Sequence, residues 1–153
     1  MDSGLSSLLT MSEDVRALLE ALSQWLRRHD FAVVEDRSSD DGQGLQQVLR
    51  RRDLRVQLLN EPTGWAIEGT GVYMAAWFDM DIWAAAFDET RAELSPSALN
   101  HQADYLMSNA DRMVIAVRDD PDLATRLMAH QRGRWLRRRG PPPLPEAPRR
   151  TTF

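Results

Sequence analysis

Two aspartates one residue apart form the pattern in this sequence that comes nearest to catalytic chemistry. Asp79-Met80-Asp81 has the D-x-D spacing by which some glycosyltransferases hold a divalent cation through two carboxylates. Such a cation needs further oxygen ligands and a bound phosphate. The nearest acids, Asp88 and Glu89, lie beyond the predicted turn, and no glycine-rich phosphate loop is present. We therefore interpret Asp79 and Asp81 as helix caps in contact with solvent, with a carboxylate-dependent hydrolase or transferase as the alternative.

The other residue types that carry catalysis are absent or badly spaced. The chain has neither cysteine nor lysine, which excludes thiol nucleophiles, thiolate zinc sites, Walker-type phosphate loops and Schiff-base lysines. Its three histidines, His29, His101 and His130, are too far apart to form a metal-binding pair on one helix. We predict no catalytic residue, no metal and no cofactor.

A group of aromatic residues around the two aspartates suggests binding instead. If the segment that follows Gly71 is a strand, alternate residues share one face, and tyrosine and tryptophan with acidic neighbours are typical of protein-binding surfaces. Core packing is the competing interpretation, and it is the one we adopt for Trp25 and Trp65. The predicted partner-binding residues are Tyr73, Trp77, Asp79, Asp81 and Trp83.

The same segment also has a helical interpretation. At a period of 3.6 residues, Asp79 or Asp81 would cap a helix that runs through Trp83 and Phe87. The alanines at positions 84–86 favour a helix from that point on. We place the change from strand to helix near Asp79 to Asp81.

Charge is distributed unevenly along the 153 residues, whose net charge is −4. Residues 1–110 hold 9 arginines and 18 acidic residues, whereas residues 111–153 hold 10 arginines and 5 acidic residues. An acidic body can steer a basic partner toward it. The arginines at 132–139, with Trp135 among them, would suit phosphate contacts, but the acidic body opposes them and we do not expect a nucleic-acid partner.

Hydrophobic periodicity predicts the elements that position these residues. A helix with capping-box spacing at Thr10 and Glu13 is expected to run to His29, and an antiparallel meander of four to five strands follows it. Gly69-Thr70-Gly71 is predicted to be the turn before the last strand. The predicted strands are Phe31–Glu35, Leu45–Arg51, Leu54–Leu58, Trp65–Glu68 and Val72–Phe78.

Two to three helices are predicted at the C-terminal end. Ser95-Pro96 begins one whose apolar stripe continues through residues 113–117. Asp119-Asp120-Pro121 interrupts it, and the last helix turns Leu123, Leu127 and Met128 inward. The predicted fold class is therefore α+β, an antiparallel sheet covered by helices.

The chain is predicted to form a single domain over residues 12–139. Residues 1–11 are expected to be a flexible N-terminus, and residues 140–153 a disordered tail rich in proline and arginine. Because no apolar run is long enough to cross a bilayer and no secretory signal is present, we predict a cytoplasmic protein with no membrane contact.

The whole pattern resembles the small immunity proteins of bacterial polymorphic-toxin systems. The similarity lies in the W-L-x-x-x-x-F segment from Trp25 to Phe31, the tryptophan-containing meander from Trp65 to Trp77, and the D-P-x-L step from Asp120 to Leu123. The resemblance implies a non-enzymatic protein that occludes the active site of a toxin, with a basic toxin domain as partner. The chain also resembles secretion-chaperone-type proteins, which bind one partner and catalyse nothing.

Overall fold

The computed structural model describes residues 11–38, 44–62, 64–88 and 97–139. None of the helices in these ranges is long and apolar enough to cross a membrane. Most of the predicted flexible N-terminus and all of the predicted tail lie outside the described residues. The elements are α1 (Met11–Arg28), β1 (Ala32–Asp36), β2 (Leu45–Arg51), β3 (Leu54–Glu61), β4 (Gly64–Gly71), β5 (Phe78–Asp79), α2 (Met80–Asp88), α3 (Leu99–Asp119) and α4 (Leu123–Arg139).

Helix α1 confirms the predicted N-terminal helix. Its apolar stripe is buried, with Leu19 and Leu26 fully inaccessible. The helix ends where Asp30 adopts a left-handed backbone conformation, with φ of 74°. The backbone N–H groups of His29 and Phe31 both donate to the Leu26 carbonyl, at 2.9 and 3.0 Å. This reversal turns Phe31 into the core, where it is buried.

The five strands form one antiparallel sheet in the order β1-β2-β3-β4-β5, which confirms the meander and the α+β class. The hairpin between β2 and β3 closes at the pair Arg51 and Leu54. Strict alternation in β3 buries Leu54, Val56 and Leu58 on the face that contacts α1 and α3. The core therefore lies between that face and the helices.

The end of the meander differs from the prediction. Gly69 and Gly71 are not in a turn but inside β4, and Val72 to Ala76 form no strand, so that β5 is only Phe78–Asp79. A Cβ atom at Gly69 would lie 3.1 Å from Trp83 Nε1 and 3.2 Å from Met113 Cε. The glycines are needed because helices pack closely on this strand, and not because the chain reverses there.

The helical interpretation of the segment after Phe78 is confirmed. Asp79 is the N-cap of α2, since its Oδ1 accepts a hydrogen bond of 3.0 Å from the backbone N–H of Ile82. Ile82, Trp83 and Ala86 are buried on the face of α2 that packs into the core.

Helices α3 and α4 complete the domain. Helix α3 runs through residues 113–117 as predicted, whereas its predicted start at Ser95-Pro96 lies outside the described residues. The break comes at Asp120, whose Oδ1 accepts a 2.9 Å hydrogen bond from the Asp122 N–H. Leu123 and Leu127 are buried in α4, but Met128 is 48% exposed, so the prediction that it faces inward was wrong. Adjacent helical residues point about 100° apart, and Leu127 occupies the inner position.

Candidate functional site

Trp83 does not belong to a surface, although it was predicted in the partner-binding group. Its side chain is fully buried, and its indole N–H donates to the Gly69 carbonyl at 3.2 Å. The strand interpretation that placed it outward was wrong because α2 begins at Met80 and turns Trp83 toward the sheet. Trp25 and Trp65, which were expected in the core, are half-buried and pack against it.

Asp79 and Asp81 are engaged in internal contacts and do not simply face solvent. Asp79 Oδ2 accepts a 2.5 Å hydrogen bond from Arg134 Nη2, in addition to its capping role. Asp81 accepts hydrogen bonds from the hydroxyl and the backbone N–H of Ser97, at 2.7 and 2.8 Å. Asp79 thus joins α4 to the sheet, and Asp81 joins α2 to the segment that precedes α3. Among the described residues, no group of three His, Cys, Asp or Glu side chains could hold a metal ion.

Tyr73 has an exposed ring and an anchored hydroxyl. The side chain is 59% exposed, and its hydroxyl donates to the carbonyl of Val117 near the end of α3. Partial burial, reinforced by the carboxylates of Asp53 and Asp120, raises the pKa of the Tyr73 hydroxyl. The proton is therefore retained, and Tyr73 acts as a hydrogen-bond donor that holds its loop against the helix.

Trp77 is the second predicted ring with accessible surface. It is half-buried, and the guanidinium of Arg55 lies over it, 5.4 Å from the ring centroid. Arg55 alternates with the buried residues Leu54 and Val56, so it projects from the sheet face opposite α1 and α3. We call this second side of the sheet the open face.

The register of the strands arranges side chains in rows on the open face, in which Val48 and Thr70 are buried and Arg55, Gln57 and Glu68 are half-buried. One row crosses the whole sheet, and a second contains Arg50, Arg55 and Thr70, with Trp77 beside it. Residues directly opposite each other on neighbouring strands share a face and interact. The members of the first row, from β1 to β5, are Glu35, Val48, Gln57, Glu68 and Asp79.

Glu68 is the acidic centre of the first row. Gln57 Nε2 donates a 3.0 Å hydrogen bond to Glu68 Oε1. Burial raises the pKa of the Glu68 carboxyl, and the nearby Asp79 acts in the same direction, while the bond from Gln57 opposes them. Arg134 compensates the charge of Asp79, so Glu68 is the group in this row whose charge is least balanced.

A polar cavity of about 350 Å³ lies elsewhere, between α1 and strands β1 and β2. Ser23 donates to Gln47 Oε1 at 2.6 Å, and Gln47 Nε2 donates to Asp36 Oδ2 at 3.0 Å. Hydrogen bonds from Ser38 and Gln47 lower the pKa of the Asp36 carboxyl. These side chains satisfy one another, so the network joins α1 to the edge of the sheet.

Arg55, Gln57 and Glu68 were not among the predicted site residues. The alternation of apolar and polar residues in 54–58 was the available signal. Its apolar residues were predicted to face the core, whereas no function was predicted for Arg55 and Gln57. The predicted meander placed β2 and β4 beside β3, but the register that sets which side chains lie opposite each other was not predicted, and therefore the rows of the open face were not foreseen.

Comparisons with protein-family models, with curated proteins and with solved structures gave no match. Functional conclusions for this chain therefore depend on the geometry of its own residues. The open face around Trp77 and Glu68 combines a half-buried ring, a guanidinium, an amide and a carboxylate in one place.

Proposed function

We propose that this protein acts in the cytoplasm as a non-enzymatic binding protein that uses the open face to hold a protein partner. The observation that carries the proposal is the open face itself, because its cross-strand rows present charged and amide side chains beside the accessible ring of Trp77. Aromatic anchors surrounded by polar groups are typical of protein interfaces.

The dimensions of the open face suit such a partner. Strands β3 and β4 each contain 8 residues. Five strands spaced about 4.8 Å apart, with about 3.4 Å per residue, present a surface on the order of 500 Å². One side of a standard interface is about 800 Å². The open face could therefore form the centre of an interface whose rim includes neighbouring loops such as that of Tyr73.

An immunity role is the form of this proposal that agrees with the resemblance described above. In that role the protein would bind a toxin domain in a fixed ratio and cover its active site. The excess of acidic residues in 1–110 would accelerate encounter with a basic cleft, and buried rings would slow dissociation. No contact among the described residues favours the alternative of a carboxylate-dependent enzyme, since Asp79 and Asp81 bind Arg134 and Ser97.

The proposal is tested with the product of the adjacent gene, since immunity genes lie beside their toxins. A photo-crosslinking amino acid is placed at Gln57 on the open face, and a matched control at Ile115, which is exposed on α3. We expect a complex of one to one stoichiometry by calorimetry and crosslinking at position 57 but not at 115. Absence of a complex, or crosslinking at 115 alone, would contradict the proposal.

A further inference from the structure

Arg55 is a cation without a counter-ion in the part of the chain that the structure describes. Its guanidinium lies over the Trp77 ring, and no hydrogen bond or ion pair joins it to another described residue. Its Nε atom is buried and lacks a hydrogen-bond acceptor. A guanidinium carries five N–H donors, and the four on the Nη atoms of Arg55 have no acceptor among the described residues.

Arg50 lies directly opposite Arg55 on the neighbouring strand. Its Nε donates to the backbone carbonyl of Arg52 at 2.5 Å, and its Nη2 lies 3.7 Å from a carboxylate oxygen of Asp53. The Arg50 side chain is 47% exposed. Like charges directly opposite each other destabilise a sheet, and an anion placed between them removes that repulsion.

We propose that Arg50, Arg55 and Trp77 form a carboxylate-binding site that receives an acidic side chain of the protein partner. The inference depends on the proposed function and specifies the chemistry of its partner. A carboxylate matches the planar fork of a guanidinium with two parallel hydrogen bonds. The Trp77 ring attracts the Arg55 guanidinium and restricts its motion, which lowers the entropy lost when the carboxylate binds.

The neighbouring row indicates a protein carboxylate and not a nucleic-acid phosphate. Glu68 and Asp79 lie in the first row of the open face, and Asp53 is close to Arg50. These carboxylates would repel a chain of phosphates, whereas a protein can present one acidic and one basic side chain. Arg55 and Gln57 are two residues apart on β3, so the rows are about 7 Å apart. The partner should therefore place a basic side chain near Glu68, about 7 Å from its acidic one.

The site is tested on the full chain without the partner, by NMR of the Trp77 indole N–H and the Arg55 Nε–H. A glycine- and serine-rich peptide that carries one glutamate and one lysine two residues apart is expected to shift both resonances saturably at physiological salt, and the same peptide with glutamine in place of glutamate is not. Arg55→Gln and Arg50→Gln should each weaken binding of the glutamate-containing peptide about tenfold or more. Arg112→Gln is the matched control, because Arg112 also lies over a ring, that of Phe87 at 4.2 Å, but has Asp88 within 3.7 Å.

Three results would overturn the inference. The first is wild-type peptide affinity in Arg55→Gln and Arg50→Gln, and the second is an equal loss of affinity in Arg112→Gln. The third is tighter binding of a single-stranded oligodeoxynucleotide than of the glutamate-containing peptide. The complex with the adjacent gene product separates the two proposals. If both arginine variants bind that partner with wild-type affinity, the site is wrong and the function stands. If the wild type forms no complex, the function is wrong, and the peptide titration still decides whether the carboxylate site exists.

Discussion

Trp77 and Trp83 differ in burial, and we expect their replacement to have different effects on stability. Trp83→Ala would leave a cavity in the core and an unpaired Gly69 carbonyl, and should cost about 3–5 kcal/mol of unfolding free energy. Trp77→Ala removes a half-buried ring and should cost about 1–2 kcal/mol. Urea denaturation of both variants measures the difference. Equal losses would mean that Trp77 is part of the core.

Glu68 makes stability depend on pH in a direction that follows from its raised pKa. A carboxyl whose pKa is higher in the folded state stabilises the fold below its unfolded pKa, and this contribution is lost as pH rises through the folded pKa. Glu68→Gln keeps an acceptor for Gln57 and removes the charge. We expect its melting temperature to exceed that of the wild type at pH 7, and the difference to disappear at a pH below 4.5, the ordinary pKa of a glutamate carboxyl.

Asp120 provides a control of opposite sign. Hydrogen bonds from Arg126 and from the Asp122 N–H lower the pKa of its carboxyl. Its stabilising contribution is therefore present above the unfolded pKa and is lost as pH falls. Asp120→Asn should be less stable than the wild type at pH 7 and equal to it in acid. If Glu68→Gln were also less stable than the wild type at pH 7 and equal to it in acid, the pKa of Glu68 would not be raised in the folded protein.

Among the elements, Gly69 in β4 and Gly133 in α4 should respond oppositely to substitution by alanine. Gly69→Ala introduces a Cβ against Trp83 and Met113 and should cost about 1–3 kcal/mol. In α4, a Cβ at Gly133 would meet only Arg137 Nη1 at 3.7 Å, so Gly133→Ala should stabilise by up to about 1 kcal/mol. Thermal denaturation of the two variants tests this, and stabilisation by Gly69→Ala would mean that the strand and α2 are less tightly packed.

The elements with long, regular apolar stripes were predicted correctly, as was β2 at Leu45–Arg51. Helices α1 and α3 follow their stripes, and strand β3 follows its alternation, because burial of one face repeats at the period of the backbone. The structure of residues 69–78 was predicted wrongly, because glycine is compatible both with a turn and with a closely packed strand. Whether Gly69 lies in a turn or in a strand depends on its packing against Trp83 and Met113, and no local sequence pattern predicts that contact.

At the scale of the molecule, one ion pair joins the last helix to the sheet. Arg134 Nη2 and Asp79 Oδ2 are 2.5 Å apart, with side chains 11% and 18% exposed. Arg134→Ala would leave the Asp79 carboxylate without its cation in a largely buried place, and should cost about 2–4 kcal/mol. Arg112→Ala removes an exposed pair with Asp88 at 3.7 Å and should cost less than about 1 kcal/mol.

A double-mutant cycle identifies the origin of the Arg134 effect. If the ion pair is responsible, Asp79→Asn combined with Arg134→Ala should cost less than the sum of the two single changes, as measured by denaturant unfolding. Additive losses would show that Arg134 stabilises α4 by packing alone. The cap that Asp79 provides to α2 should survive in Asp79→Asn, because asparagine also accepts the hydrogen bond from Ile82.

The α+β class, the N-terminal helix and the core face of β3 followed from the order of residues, because they depend on periodicity within one element. The burial of Trp83, the ion pair of Asp79 with Arg134 and the position of Arg55 over Trp77 did not follow from it. Arg134 lies 55 positions from Asp79, and Arg55 meets Trp77 across the sheet only when β3 and β4 pair. Contacts between distant residues depend on how elements pack together, and local propensity carries no information about that. The tertiary structure therefore determined which aromatic and charged side chains of this protein are accessible to a partner.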